Sequence, residues 1–272
     1  MITTALRCAG LFVVMFFSLF PVYWIISFSI RETSELLKYP PSFFPETINF
    51  DAFVTLFEFI DMTGYISNTL LVSLSATAIT IIVSTMGGYA LARRKFAGRD
   101  AVGLMMLSSQ MIPTILLVVP LSLIMQFLGL LDSHVGLVFA LVGITIPVGT
   151  WMMKGFIETV PFELEEAAVF DGCEAWEVPV RVVLPLIMPG IVTVGMYTFI
   201  LAWGEFVFSL TLLRSEEMRT LPSAMAVNFG RTSIDYEVLM PMAVTYMAPA
   251  LLVMSLFQRQ LTRSIAQGAL KG

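Results

Sequence analysis

Six stretches of this chain, about 9–30, 68–92, 103–128, 135–156, 186–212 and 239–261, are each apolar over about 20 residues or more. As a helix, that length crosses the roughly 30 Å of bilayer hydrocarbon. Composition agrees: 57% of the 272 residues are hydrophobic and 13% charged, against about a quarter charged in a soluble domain. The expected fold class is all-α integral membrane, with six transmembrane helices and residues 1–272 as one transmembrane domain. The first stretch is longer than the apolar core of about 7–15 residues in a signal peptide, and no small-residue cleavage site follows at Ser29-Ile30-Arg31-Glu32. It is expected to stay attached.

Lysines and arginines set the orientation, because they collect on the cytoplasmic side of membrane proteins. With the N-terminus inside, Arg7, Arg93, Arg94, Lys95, Arg99, Lys154, Arg181, Arg259, Arg263 and Lys271 face the cytoplasm, ten of the fifteen bases. Arg31, Lys38, Arg214, Arg219 and Arg231 then face outward. Both termini are expected inside. Outside lie two loops, about 31–67 and 213–238; the first carries Tyr39-Pro40-Pro41-Ser42-Phe43-Phe44-Pro45, too broken for a helix and expected to lie on the outer membrane face.

The same topology makes 158–185 a cytoplasmic loop holding seven acids (Glu158, Glu163, Glu165, Glu166, Asp171, Glu174, Glu177) against one base, Arg181. Pro161 suits a first helical turn, Glu163, Glu165 and Glu166 suit the positive end of a helix dipole, and Gly172 suits the left-handed residue after a helix end. Leu164, Ala167 and Ala168 fall at i, i+3, i+4 and are expected to share an apolar face, with the acids opposite. A second short segment with Ala175, Trp176, Val180 and Val183 precedes Pro185. The loop reads either as a solvated surface segment or as a docking knob. Its charge favours a protein partner, since an anionic inner leaflet repels an acidic helix.

Glu166-Ala167-Ala168, three residues, Gly172, nine residues, then Val182 and Leu184-Pro185 resembles the EAA signature of permease subunits of binding-protein-dependent ABC importers. Gly88-Tyr89-Ala90-Leu91-Ala92-Arg93 with Phe96 and Gly98, Ile112-Pro113-Thr114, Val119-Pro120-Leu121, Gly129-Leu130-Leu131-Asp132 and Gly268-Ala269-Leu270-Lys271-Gly272 are similar to the carbohydrate branch of that family, that of the maltose-type inner permease. One departure is Trp203-Gly204-Glu205-Phe206, where many sugar permeases have Trp-Asn-Glu/Asp-Phe.

The resemblance implies a multi-pass permease of the bacterial inner membrane carrying a sugar or sugar-like solute. Its EAA loop would be a coupling helix docked on a dimer of ATP-binding cassette ATPase subunits, through Glu165, Glu166, Ala167, Ala168, Asp171, Gly172, Leu184 and Pro185. It further implies a second permease subunit, as a heterodimer, and an extracytoplasmic solute-binding protein; no nucleic acid is expected as a partner. A glycerol-phosphate or polyamine importer is the alternative within the family, and an ATP-independent secondary carrier the alternative outside it. The energy source is expected elsewhere, because none of Lys38, Lys95, Lys154 or Lys271 is followed by the Ser or Thr of a phosphate-binding loop. ATP and Mg belong to the partner, and this chain is expected to bind no cofactor.

His134 is the single histidine, which argues against haem ligation. Cys8 and Cys173 have no metal-like spacing. Candidates for a polar path are Asn68, Gln110, Tyr197, Trp203, Glu205 and Tyr246, among span hydroxyls such as Thr80, Ser84 and Thr145 that either line it or bond within and between helices. Glu205 is the carboxylate inside a span, and such a charge is costly unless it serves a purpose. Pro113, Pro120 and Pro147 either kink their spans or simply pack.

Overall fold

The computed structural model describes the backbone of residues 2–231 and 236–269 and the side chains of 7–228 and 236–257. The side chains of Arg231, Arg259 and Arg263, and residues 270–272 with Lys271, lie outside the described residues, and with them part of the orientation and tail readings. All regular structure described is helical. In chain order it comprises α1 (Ile2–Ser29), α2 (Thr33–Leu36), α3 (Asp51–Phe59), α4 (Met62–Arg93), α5 (Arg99–Ser109), a 3-10 turn Thr114–Leu117 leading into α6 (Val118–Phe127), α7 (His134–Glu158) and α8 (Phe162–Phe170). A π-helical turn Pro179–Val183 then leads into α9 (Leu184–Leu186), α10 (Met188–Trp203), α11 (Val207–Leu212), α12 (Leu221–Arg231) and α13 (Tyr236–Ala269).

Four helices are long and apolar enough to cross a membrane, and six spans result if two bent pairs each count as one. The third and fifth expected spans are those pairs. The third breaks between Ser109 and Thr114 with a bend of 98°. Pro113 lacks an N–H and steers Ile112 away from helical backbone, so the chain restarts there. Pro120 sits in the first turn of α6, where its missing donor costs nothing, and Pro147 lies inside an unbroken α7. The fifth bends by 72° next to Ile187, and α10 stops at Trp203, three residues before α11.

Contacts group the chain into two compact units, residues 1–64 with 224–249, and 65–223 with 250–272. In the first unit, Arg31 is a buried base. It is 3% exposed, and Glu35 one turn later is equally buried. Arg31 Nη1 lies 3.0 Å from Glu35 Oε1, Nη2 donates to Ser27 Oγ at 2.9 Å and to the Ser42 carbonyl at 2.8 Å, and the guanidinium sits 4.7 Å from the Phe28 ring centre. Burial alone would raise the Glu35 pKa; the Ser42 hydroxyl, the Glu46 N–H and Arg31 outweigh it and hold the carboxyl below its usual range. The proline-aromatic segment is folded back on α1, with the Tyr23 hydroxyl donating to the Phe43 carbonyl and Trp24 edge-on to Phe43 at 5.8 Å.

In the second unit, α4 and α7 are knit by small and hydroxyl side chains. Thr80 Oγ1 and Thr145 Oγ1 are 2.7 Å apart, and Thr80, Ser84, Thr145 and Thr150 are buried. A Cβ on Gly88 would stand 2.8 Å from the Lys154 backbone nitrogen, and one on Gly149 2.5 Å from Ser84 Oγ. The hydroxyls offered as path candidates on these spans therefore serve helix contact, as membrane interfaces rich in small residues do. An apolar core from α4, α6, α7, α10 and α11 surrounds Leu141 and Phe208. A second core, with Met153, Ile157, Val160, Val183, Ile187 and Val194, lies beneath the 158–185 loop.

Candidate functional site

The loop after α7 builds a short, sharply ended helix. Pro161, in extended backbone, precedes α8, whose first turn carries Glu163 and Glu165, acids placed where the helix dipole favours them. At the other end, the Gly172 N–H donates to the Val169 carbonyl at 3.1 Å and the Cys173 N–H to the Ala168 carbonyl at 2.9 Å. With Gly172 at φ +97°, this is the paired C-terminal closure that a glycine permits. The chain then turns through Glu174–Glu177, where Arg181 Nη2 meets Glu177 Oε1 at 2.8 Å.

The faces of α8 differ from the expectation. Glu165, not the apolar set, is its buried side chain, 5% exposed. Its Oε1 lies 2.5 Å from Arg93 Nε, and its Oε2 accepts from the Tyr89 hydroxyl at 2.9 Å. Glu165 is thus turned toward the basic end of α4, so the acids of α8 do not share one face as expected. Leu164 and Ala167 face outward with Glu166 and Asp171, Ala168 is half-buried, and Leu184 and Pro185 are at the start of the fifth span. Around them stand unusually bare apolar groups: Phe170 is 90% exposed and Trp176 71%, with Phe162, Val169 and Val180 each half-exposed or more. A cleft of about 330 Å³ lined by Tyr89, Arg93, Phe162, Glu166, Phe170 and Val178 opens between α8 and the end of α4. Charged rims around apolar ground are what a protein interface presents. The prominence of Phe170 and Trp176 was not read from the sequence, although both lie next to the glycine-ended helix.

The path candidates are placed separately. Asn68 Nδ2 donates to the carbonyls of Glu217 (2.7 Å) and Arg219 (3.0 Å). Gln110 is exposed at the end of α5. Tyr197 is half-buried on α10, and Tyr246 is half-buried on α13 in the other unit. Trp203 is 2% exposed and stacked on Phe199 at 5.7 Å, so its ring faces protein here. Glu205 lies in the break between α10 and α11; its carboxylate accepts from the N–H groups of Phe208 (2.7 Å) and Ser209 (2.9 Å) and caps α11.

At the opposite end of α7, about 37 Å away at 1.5 Å per residue, a second polar cluster ties down residues 214–219. Asp132, at φ +54°, accepts from the N–H groups of Arg214 (2.7 Å) and Ser215 (2.9 Å) and from the Ser215 hydroxyl, and His134 Nε2 donates to the Met218 carbonyl at 2.9 Å. The Ser215 hydroxyl and these N–H groups hold the Asp132 carboxyl below its usual range. A depressed folded-state pKa contributes stability above the unfolded value and loses it as pH falls through the folded one. Amide exchange of 214–219, relative to unstructured chain at the same pH, is therefore expected to accelerate below about pH 4. In Asp132→Asn it is expected to be fast already at pH 7; equal protection in both proteins across that range would show that the carboxylate does not hold the segment.

The family described as binding-protein-dependent transport system inner membrane component matches residues 84–267. The sulfoquinovosyl glycerol transport system permease protein of Agrobacterium fabrum is 32% identical over 93% of this chain and 89% of its own length. The diacetylchitobiose uptake system permease protein DasC of Streptomyces coelicolor is 31% identical over 96% and 95%. A chain in the crystal structure of a bacterial ABC transporter involved in the import of the acidic polysaccharide alginate superposes with a TM-score of 0.81 at 21% identity, over 95% of this chain and 96% of that one; it shares the fold.

Proposed function

Because the chain belongs to the binding-protein-dependent transport system inner membrane components, we propose that it forms half of the path by which an ATP-driven importer takes up a sugar or sugar-like solute. The observation that carries this reading is the knob of α8 and Gly172–Val180, a rigid helix end that exposes Glu166, Phe170 and Trp176 beside a charged cleft. Glu166 pairs with bases on an ATPase subunit, Ala167 and Ala168 allow close approach, Asp171 and Gly172 set the exit angle, and Leu184-Pro185 pass the movement into the fifth span. ATP and Mg reside on that partner. The carbohydrate class is supported by relatives named for a sulfoquinovosyl glycerol and for diacetylchitobiose.

Residues 1–272 act as one transmembrane domain beside a second, non-identical permease subunit, and the end with Asp132 and Arg214–Arg219 meets a solute-binding protein. The termini lie in the cytoplasm. Protein purified from membranes is expected to retain an ATPase whose turnover rises with solute-loaded binding protein; uptake by the isolated chain in liposomes without ATP would overturn the assignment. Cysteines at 99 and 181 should resist membrane-impermeant reagent in intact cells while one at 219 reacts. Labelling of 219 and 181 from the same side would sink the topology.

A further inference from the structure

We propose that Arg93 is the positioning residue that carries the movement of α8 into the α4–α7 pair. The proposal rests on the reading of α8 as the coupling helix and deepens it. Its starting point is an oddity of α8, a helix with Phe162, Leu164, Val169 and Phe170 among its nine residues whose buried side chain is instead the carboxylate of Glu165. The buried attachment of the helix is therefore charged.

The geometry of that hold is specific. Tyr89 and Arg93 lie four residues apart, one turn of α4, and so share a face. Each takes one oxygen of Glu165, the hydroxyl donating to Oε2 at 2.9 Å and Arg93 Nε to Oε1 at 2.5 Å. Two attachments to one carboxylate fix the rotation of α8 about its axis as well as its height. Arg93 Nη2 also donates to the carbonyls of Ile157 (3.0 Å) and Val160 (2.6 Å), closing the C-terminal end of α7, where carbonyls lack helical partners. One guanidinium thus joins three elements, and its planar fork is the side chain able to do so. The neighbouring Arg94 and Lys95 are exposed.

Above this point α4 and α7 form a close pair, with Gly88 against the backbone of Met153 and Lys154 and Thr80 against Thr145. A displacement of α8 therefore loads both helices together. An apolar contact at the same place would let α8 roll or slide, whereas a buried charge-assisted pair is short and directional and loses most of its value when misaligned.

The test uses the permease purified with its ATPase and reconstituted in liposomes, with solute-loaded binding protein outside, and reads solute taken up per ATP hydrolysed. A plain structural staple would not move that ratio. For Glu165→Gln and Arg93→Gln, the ATPase recovered with the permease is measured first and uptake is read per ATP hydrolysed by the recovered complex, so that loss of docking is separated from loss of coupling. Uptake per ATP is expected to fall by about tenfold, the scale of one lost charge-assisted hydrogen bond. Arg93→Lys keeps the charge but loses the fork and is expected to fall between. An unchanged ratio in Glu165→Gln and Arg93→Gln overturns the proposal. Should both fail to accumulate, Tyr89→Phe, which removes one hydroxyl, decides by the same ratio: a fall supports the latch and parity overturns it. Failure of the coupling-helix reading is separate, since it shows as intact ATPase recovery with Gly172→Val and Glu166→Lys.

Discussion

Gly172→Val is expected to release the ATPase from the purified permease and to lower solute uptake at least tenfold while the amount of permease in the membrane stays unchanged. Gly172 lies at φ +97°, and no atom stands within 4 Å of where its Cβ would be. Steric crowding by neighbours is therefore not the objection to a side chain there; the backbone conformation is. Left-handed backbone costs an L-residue about 1–2 kcal/mol, and more when Cβ is branched. The chain relieves that cost by abandoning the closure in which the Gly172 and Cys173 N–H groups return to Val169 and Ala168, which redirects the segment carrying the exposed Trp176 relative to α8 and its exposed Phe170. Gly172→Asn, which tolerates this backbone, is expected to retain most activity. Glu166→Lys tests charge alone: Glu166 is exposed, and reversal replaces attraction by repulsion at the docking face. Undiminished ATPase recovery and transport in both Gly172→Val and Glu166→Lys would make the loop a solvated bystander.

How much of this was legible in the sequence depends on the range of the interactions. Apolar length marks where the chain crosses, and the helix-ending role of Gly172 shows in its own neighbourhood, because both are local. The breaks were partly legible: Pro113 signals one, but the stop at Trp203 rests on Gly204 and on a carboxylate reaching forward to Phe208 and Ser209, a capping role of Glu205 that the sequence does not announce. The faces of α8 were misread because helical periodicity ranks side chains by polarity, whereas Glu165 is buried by a partner 72 residues earlier, Arg93. The partners of Arg31 were illegible for the same reason: Glu35, Ser27 and Ser42 take up its guanidinium through contacts that a count of bases does not show. A single sequence carries no sign of which distant charge a residue will meet.

The close pairing of α4 and α7 gives the last expectation, that Gly88→Val destabilises the folded permease by about 1–3 kcal/mol, at the upper end of that overpacking range. Glycines in these two helices are not equivalent. A Cβ on Gly88 would stand 2.8 Å from both the Lys154 nitrogen and Met153 Cβ, whereas on Gly143 or Gly155 it would meet nothing within 4 Å. Gly87 is intermediate, with Thr150 Cγ2 at 3.1 Å. A side-chain methyl can rotate away from such a contact; a backbone nitrogen inside a helix cannot, so α4 and α7 must separate. Separation also stretches the 2.7 Å contact between Thr80 and Thr145, two fully buried hydroxyls. Thermal unfolding of the detergent-solubilised permease, followed by its monodisperse fraction on size exclusion, is expected to rank Gly155→Ala near the parent, Gly87→Ala lower, and Gly88→Ala and Gly88→Val lowest. If Gly88→Val is as stable as Gly155→Ala, the two helices do not touch as closely as the structure has them, and the route from Arg93 into the α4–α7 pair loses its rigid footing.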